Sequence, residues 1–341
     1  MWFWVALCVV FCGCGFQSRP GNAPGDDAPG GDAPGSDASI DAGGKDAGDG
    51  PPAGTDCFQR WFDGAPSLAL SGPQEITALS GTTDDRDPWI STDGLRLYFA
   101  RNPGSHGRND IYLASRSTTT ALNFGNLDRL DNLNTGDEET RASLSGDEKL
   151  LVLSGDHGTS DGRRHVFVTS RGAMQQSFPS PSANEQHVVA AVNTSNVNDL
   201  DPFLTTGGMR LYLAPAGDPP AVQQITVAER LAADQDFGPS IPVPLIASPD
   251  GDADPALSAD ERIIVFSSHR ASGVGGIDAT NLWYATRPNA TASFTAPRLI
   301  PAVNGGAEDG DPMLSSDGCE LYFASTRNGG KYHVFHAQVT K

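Results

Sequence analysis

From residue 87 onward the chain alternates short apolar runs with clusters of Gly, Asp, Ser and Asn, and none of the runs carries the 3.6-residue period of a helix. The runs LRLYFA, LLVLS, MRLYLA, RIIVFS and CELYFA are rich in aromatic and β-branched residues, which fit a pleated, half-buried surface. Each is preceded by a turn signal such as Thr92-Asp93-Gly94 or Ser316-Asp317-Gly318, built from residues that tolerate positive φ. The pattern predicts many short antiparallel strands and no long helix.

The strands belong to a repeat. DPWISTDGLRLYFA, starting at Asp87, recurs as DPFLTTGGMRLYLA at Asp201, DPALSADERIIVFS at Asp254 and DPMLSSDGCELYFA at Asp311. A degraded copy, RASLSGDEKLLVLS, starts at Arg141. Starts lie 53 to 60 residues apart, as for one supersecondary unit with variable loops. Each copy reads as a short first strand after Asp-Pro (Trp89 to Ser91, Phe203 to Thr205, Met313 to Ser315) and a second strand after the turn. A third strand ends at Arg116, Arg171, Arg230 and Arg287. A weaker fourth follows as NLDRLDNLN, QHVVAAVN, SIPVPLIA and APRLIPAVN, and its counterpart before the first copy is SLALSGPQEITALS, residues 67–80. An orphan strand at the start and a missing one at the end predict a closed ring, which removes exposed sheet edges. The expected fold is therefore all-β: a β-propeller of four-stranded blades, five by this count, or six if residues 57–80 hide a further copy.

Asp-Pro, a short strand, Ser-x-Asp-Gly, Leu-Tyr-Phe and then an Ile-Tyr strand resemble the WD40-like repeat of TolB-type β-propellers over about residues 65–340. The resemblance implies the fold and leaves function open, since propellers serve as binding proteins, enzymes and scaffolds alike.

Ahead of the repeats, residues 2–13 form an apolar stretch too short to span a bilayer, which reads as the hydrophobic part of a signal peptide over 1–14. FCGC places Gly13 before Cys14 and resembles the lipobox of bacterial lipoproteins, which implies lipidation at Cys14; a plain signal peptide or an uncleaved anchor are the alternatives. Residues 15–56, almost wholly Gly, Ala, Asp, Pro and Ser, cannot bury enough apolar surface to offset ordering entropy and are expected to be a disordered linker, with the propeller over 57–341. The expectation is a lipid-anchored protein of the bacterial cell envelope, periplasmic or surface-facing. Gly15 lacks the aspartate that retains lipoproteins in the inner membrane, which points to the outer membrane.

A net charge of -19, with no Lys/Arg cluster, excludes nucleic acid as a partner and leaves the lipid anchor as the membrane contact. The partner is expected to be a protein or another envelope component. Of the five cysteines only Cys57 and Cys319 fall in the folded part. In an exported chain they read as a disulfide near the ring closure, or else as two unrelated thiols.

Candidate chemistry centres on D-x-D-P, found at Asp85/Asp87, Asp199/Asp201, Asp252/Asp254 and Asp309/Asp311. In an extended strand residues i and i+2 share a face, so each pair is expected to project two carboxylates into one channel mouth, with Glu139 in the degraded copy. Such a ring would attract a basic partner or a divalent cation, calcium being the candidate cofactor. A feature repeated in every blade is equally explained by the needs of the blade. Asp250, Asp252, Asp254 and Glu261 mimic an EF-hand loop, but Pro255 stands where that loop needs glycine. The histidines, His165, His333 and His336 among them, lack metal-ligand spacing, and Trp61, Trp89 and Trp283 are assigned to packing. Arg116, Arg171, Arg230 and Arg287 are expected to pair with nearby Asp residues, the alternative being that they bind an anion. No catalytic residue stands out. The first functional reading is a binding or interaction scaffold, and the alternative is a carbohydrate-active enzyme using channel carboxylates.

Overall fold

The computed structural model describes residues 55–340 apart from 105–107, 158, 160, 183–184, 195–196, 218–221 and 275–278. Cys14 and the expected signal and linker segments lie outside the described residues. Five antiparallel blade sheets follow one another along the chain, and a further two-stranded sheet pairs Val197–Asn198 with Ala216–Gly217. Blade I comprises Asp85–Ile90, Arg96–Arg101, Asp110–Ser115 and Gly125–Arg129; blade II comprises Glu139–Leu144, Leu150–Gly155 and His165–Ser170. In blade III the strands are Phe203–Leu204, Arg210–Leu213, Thr226–Glu229 and Ile241–Pro242, and in blade IV they are Asp252–Leu257, Ile263–Ser268, Asn281–Thr286 and Arg298–Leu299. Blade V takes Asp309–Leu314, Glu320–Ser325 and His333–Gln338 from the C-terminus and Gln74–Glu75 from the N-terminus. The structure is thus a five-bladed β-propeller, and residues 57–80 supply the closing strand rather than a sixth blade. Gln74 pairs with His336 and Glu75 with Phe335, and Leu70 bridges Val339.

Two details differ from the sequence reading. Fourth strands are shorter than their apolar segments, and in blade II QHVVAAVN forms a 3-10 turn, Gln186–Val189. There the side-chain amides of Gln186 and Asn193 stand in for a strand: each both donates to and accepts from the backbone of Val168 and Val166 at 2.8–3.1 Å. Asn134 and Asn304 do the same for Ile111 and Leu282, so the terminal Asn of these segments satisfies third-strand groups that a full strand would otherwise cover. The second difference is a helix, Thr55–Asp63, ahead of the closing strand. Its Trp61 is fully buried, donates Nε1–H to Gly318 O at 2.9 Å and meets Tyr284 edge-on at 5.2 Å, so the helix clamps blades IV and V.

The repeated arginine after each third strand is structural, though most of its partners differ from the expected aspartates. Arg116, Arg171, Arg230 and Arg287 each donate Nε–H to the carbonyl of their own blade's turn, Gly94, Glu148, Gly208 and Glu261, at 2.6–2.7 Å. Each also lies over the ring of a phenylalanine seven or eight residues on: Phe124, Phe178, Phe237 and Phe294, at 4.1–4.8 Å. For Arg116, Arg171 and Arg287 the carboxylate partner is a glutamate that ties neighbouring blades, while Arg230 feels the charge of an aspartate, Asp234. Glu148 of blade II accepts from Arg96 of blade I at 2.6 Å and faces Arg171, Glu261 of blade IV does so with Arg210 of blade III, and Glu320 of blade V faces Arg116 of blade I.

Cys57 and Cys319 are disulfide-bonded across 262 residues of chain. A bond closing so long a loop stabilises mainly by restricting the unfolded chain. Replacing both cysteines by serine is expected to cost about 3–5 kcal/mol and to lower the melting midpoint by roughly 6–10 °C, read by thermal unfolding with and without reductant on the wild type.

Candidate functional site

The D-x-D-P element lies inside the inner strand of blades I, IV and V and just ahead of it in blade III, with Glu139-Thr140-Arg141-Ala142 in its place in blade II, and it breaks the alternation expected of a strand. The second residue of each motif has positive φ: Asp87 at 54°, Arg141 at 52°, Asp201 at 54°, Asp254 at 52° and Asp311 at 52°. Strand register slips at the same place, between Arg86 and Trp89, Thr140 and Ser143, Ala253 and Ala256, and Gly310 and Met313. This is a β-bulge, and it re-aims side chains. The two acids of each pair therefore part company, and the expected eight-carboxylate mouth does not form.

The first acid turns into the blade. Asp85, Asp252 and Asp309 are almost fully buried, and each binds an arginine from the end of the second strand: Arg101 at 2.6 Å, Arg270 at 2.5 Å and Arg327 at 2.5 Å. Arg270 and Arg327 also donate to Ile246 O and Val303 O at 2.7 Å, while Asp252 and Asp309 accept N–H bonds from Ser248 and Gly305 in the entering loop. Asp199 and Glu139 use histidines instead, His165 at 3.3 Å and His157 at 3.2 Å. Asp85, Asp199, Asp252 and Asp309 are thus loop anchors. Asp252 and Asp254 point apart, so the EF-hand-like spacing gathers no ligand set.

The second residue turns into the central channel, where each carboxylate reaches the next blade. Arg141 N–H donates to Asp87 Oδ2 at 3.3 Å, Asp311 N–H to Asp254 Oδ2 at 3.2 Å and Asp87 N–H to Asp311 Oδ2 at 3.4 Å, and Asp201 accepts likewise from Asp254. The degraded repeat supplies Arg141 instead of an acid. Its Nη2 donates to Pro255 O at 3.1 Å, and its Nη1 lies 3.6 Å from Asp87 Oδ1 and 3.8 Å from Asp311 Oδ1. The ring is therefore four aspartates and one arginine. Asp87, Asp254 and Asp311 bring one carboxylate oxygen each to within 4.8 Å of one another, the one such trio of ligand-type groups found among the described residues.

Burial pushes the Asp311 carboxyl well above the usual carboxylate range, and the charges of Asp87 and Asp254 add to this. Asp201 is raised well above its ordinary value in the same way, by burial and then by Asp254. Arg141 is held charged despite the opposing effect of burial, by Asp254, Asp87, Asp311 and Asp201.

Above this floor opens a pocket of about 340 Å³. Its walls include Arg86 of the first inner strand and, from the residues leading into the third strands, Asn109, Arg164, Gln223, Thr280 and Tyr332, whose side chains differ from blade to blade although each backbone carbonyl accepts the N–H of the next blade's first acid. Arg86 lies 3.5 Å over the Tyr332 ring. Below the floor the channel is filled by Trp89, Leu144, Leu204, Leu257 and Met313, with a residual space of about 20 Å³. Hydrogen bonds between turns of different blades close that end: Gly146 N–H to Thr206 O at 2.8 Å and Ser316 Oγ–H to Thr92 O at 2.8 Å. The pocket is a one-ended funnel with an acidic floor. The repeat announced the floor acids, while the wall residues, at an equivalent position ahead of each third strand, share no residue type by which the sequence would have identified them.

No family model and no curated protein matches this sequence. Among solved structures, the chain is similar to a thermostable family-43 glycoside hydrolase, with a TM-score of 0.50 and 11% identity over 78% of this chain and 91% of that one. It is also similar to an α-L-arabinofuranosidase from Podospora anserina, with a TM-score of 0.52 and 10% identity over 80% and 96%. A TolB from Agrobacterium tumefaciens superposes with a TM-score of 0.42 and 14% identity over 80% and 92%. At these identities the likeness is one of fold.

The raised carboxyls set a pH dependence. The native floor binds more protons than the unfolded chain between the ordinary aspartate range and the raised values. The contribution is therefore complete at or below the ordinary range and is lost as pH rises through the raised range. Asp311→Asn keeps an acceptor for the Asp87 N–H and cannot ionise. Urea unfolding from pH 5 to 9 is expected to show a smaller alkaline loss of stability in this variant than in the wild type.

Proposed function

We propose that the funnel takes a sugar-type ligand and that the chain is a carbohydrate-active propeller whose floor carboxyls perform acid–base chemistry on a glycosidic bond. The observation carrying this reading is a blind polar pocket of about 340 Å³ whose floor gathers carboxyls with displaced proton affinities. Glycoside hydrolysis needs one protonated carboxyl to assist the leaving oxygen and a second facing the sugar from the other side. Asp311 and Asp201, whose proton affinity burial and neighbouring charge raise, suit the acid, with Asp87 or Asp254 as the facing group. Asn109, Gln223 and Arg164 in the wall offer donors suited to sugar hydroxyls. The five-bladed fold shared with a family-43 glycoside hydrolase and an α-L-arabinofuranosidase supports the same reading.

The test is hydrolysis of an aryl-glycoside and polysaccharide panel by the full chain, beginning with α-L-arabinofuranosides. Turnover is expected, with a loss of about 100-fold or more in kcat for Asp311→Asn. A wild type inert across the panel sinks the enzyme reading. One observation favours a second reading, a non-catalytic binding module: the floor carboxylates already accept backbone N–H groups that hold the ring together. Glycan binding by calorimetry without turnover would select it.

Display of the propeller from the envelope through a lipid at Cys14, in the outer membrane, forms part of the proposal; the supports are the apolar stretch, Gly13-Cys14 and the Gly/Ala/Asp/Pro tract that follows. Radiolabelled palmitate is expected to mark the wild type and to miss Cys14→Ser; labelling of both would remove the anchor.

A further inference from the structure

We propose that Arg141 is a built-in substitute for a bound divalent cation: its guanidinium holds the carboxylates of the channel floor together, so the ring closes without metal. This inference does not depend on what the funnel binds.

The argument begins with spacing. A calcium ion takes carboxylate oxygens at about 2.4 Å, so two oxygens on opposite sides of one ion stand about 4.8 Å apart. The oxygens of Asp87, Asp254 and Asp311 fall within that limit of one another. The bulge that turns these side chains inward thus builds the beginnings of a hard-cation cage from repeat positions alone. A complete cage of five acids would carry a charge that the buried floor could not tolerate without a counter-ion.

The one repeat that lacks the acid supplies the counter-ion. Arg141 is about 4% exposed, and its Nη1 points between Asp87 Oδ1 and Asp311 Oδ1 at 3.6 and 3.8 Å with no hydrogen-bond partner of its own. Those distances fit a charge placed centrally and shared between carboxylates, the arrangement a metal would adopt, rather than a two-pronged pair with one of them. A guanidinium in that position and a metal ion on the same oxygens exclude each other. There is also a cost to the substitution. Every other ring residue offers a carboxylate to the next blade's N–H, and Arg141 has no acceptor to give Asp201. The circle of inter-blade bonds is broken at that point, and the charge of Arg141 offsets the loss. Arg86 faces the floor from above and adds a second positive charge toward Asp311 and Asp87.

The experiment measures thermal midpoints of the full chain with 5 mM calcium chloride and with EDTA, alongside calcium calorimetry, for the wild type, Arg141→Lys, Arg141→Gln and Arg141→Asp. The wild type and R141K are expected to melt at the same temperature in both buffers. R141D restores the acid of the other repeats and is expected to lose stability in EDTA, to bind one calcium per chain, and to gain about 5 °C or more with calcium. Recovery of folded R141D only when calcium is present would also support the proposal. If R141D is unfolded in both buffers, R141Q decides: a calcium-dependent rise supports the proposal and its absence overturns it. A calcium-dependent midpoint in the wild type overturns it, as does a folded R141D indifferent to calcium.

Discussion

The structure turns on one repeated contact: in four of the five blades an aspartate held at positive φ near the start of the inner strand accepts the backbone N–H of its counterpart one blade on. Aspartate is among the few side chains that tolerate this backbone region. The conformation slips the strand register by a bulge, and from that slip follow the separation of the paired acids and the narrowing of the channel. The radial arrangement and the acidic floor are therefore one feature. A blade whose inner strand ran straight would place both acids on one face and leave its neighbour's N–H unsatisfied.

Repetition made the fold legible. Five copies of Asp-Pro or its remnant, a Gly- or Glu-containing turn and an aromatic second strand were enough to count the blades and to pair the first strand with the last. The period-2 rule failed where a single residue leaves the extended region, because nothing in D-x-D-P distinguishes a straight strand from a bulged one. The repeated phenylalanine under each arginine was visible at a spacing of seven or eight residues, yet its role emerges only when the third strand and the turn come together in space. The short or missing fourth strands were illegible for a related reason. An asparagine side chain can replace a strand's backbone groups, so an apolar segment ending in Asn reads as a strand whether or not it forms one.

Floor and walls answer to different constraints. Floor residues recur because each must satisfy a neighbour's backbone, and they define the channel whatever it holds. Wall residues such as Arg164, Gln223 and Tyr332 recur in position, since each gives a backbone carbonyl to the next blade's first acid, but their side chains are of unrelated types and closure needs none of them. On the proposed function, selectivity for a ligand would belong to the walls and reactivity to the floor. The plug of Trp89, Leu144, Leu257 and Met313 excludes passage through the ring and makes the funnel a place of arrival rather than a conduit.

Blade II departs from the repeat in several ways. It carries Arg141 in place of the ring acid, Glu148 in place of the turn glycine of blades I, III and V, and a 3-10 turn in place of an outer strand. Glu148 accepts the strained φ of 54° and in return pairs with Arg96 of blade I and Arg171 of its own blade. Glu261 of blade IV makes the same exchange with Arg210 and Arg287. The contact that Arg141 does not make would join blade II to Asp201 of blade III, and those two blades are joined instead by Leu204 N–H to Ser143 Oγ at 2.9 Å and Gly146 N–H to Thr206 O at 2.8 Å. Sequence degradation in a closed repeat is then not simple decay: each lost contact around a ring leaves two blades less firmly joined, and a substitution persists in a stable ring only where another contact joins the same blades again.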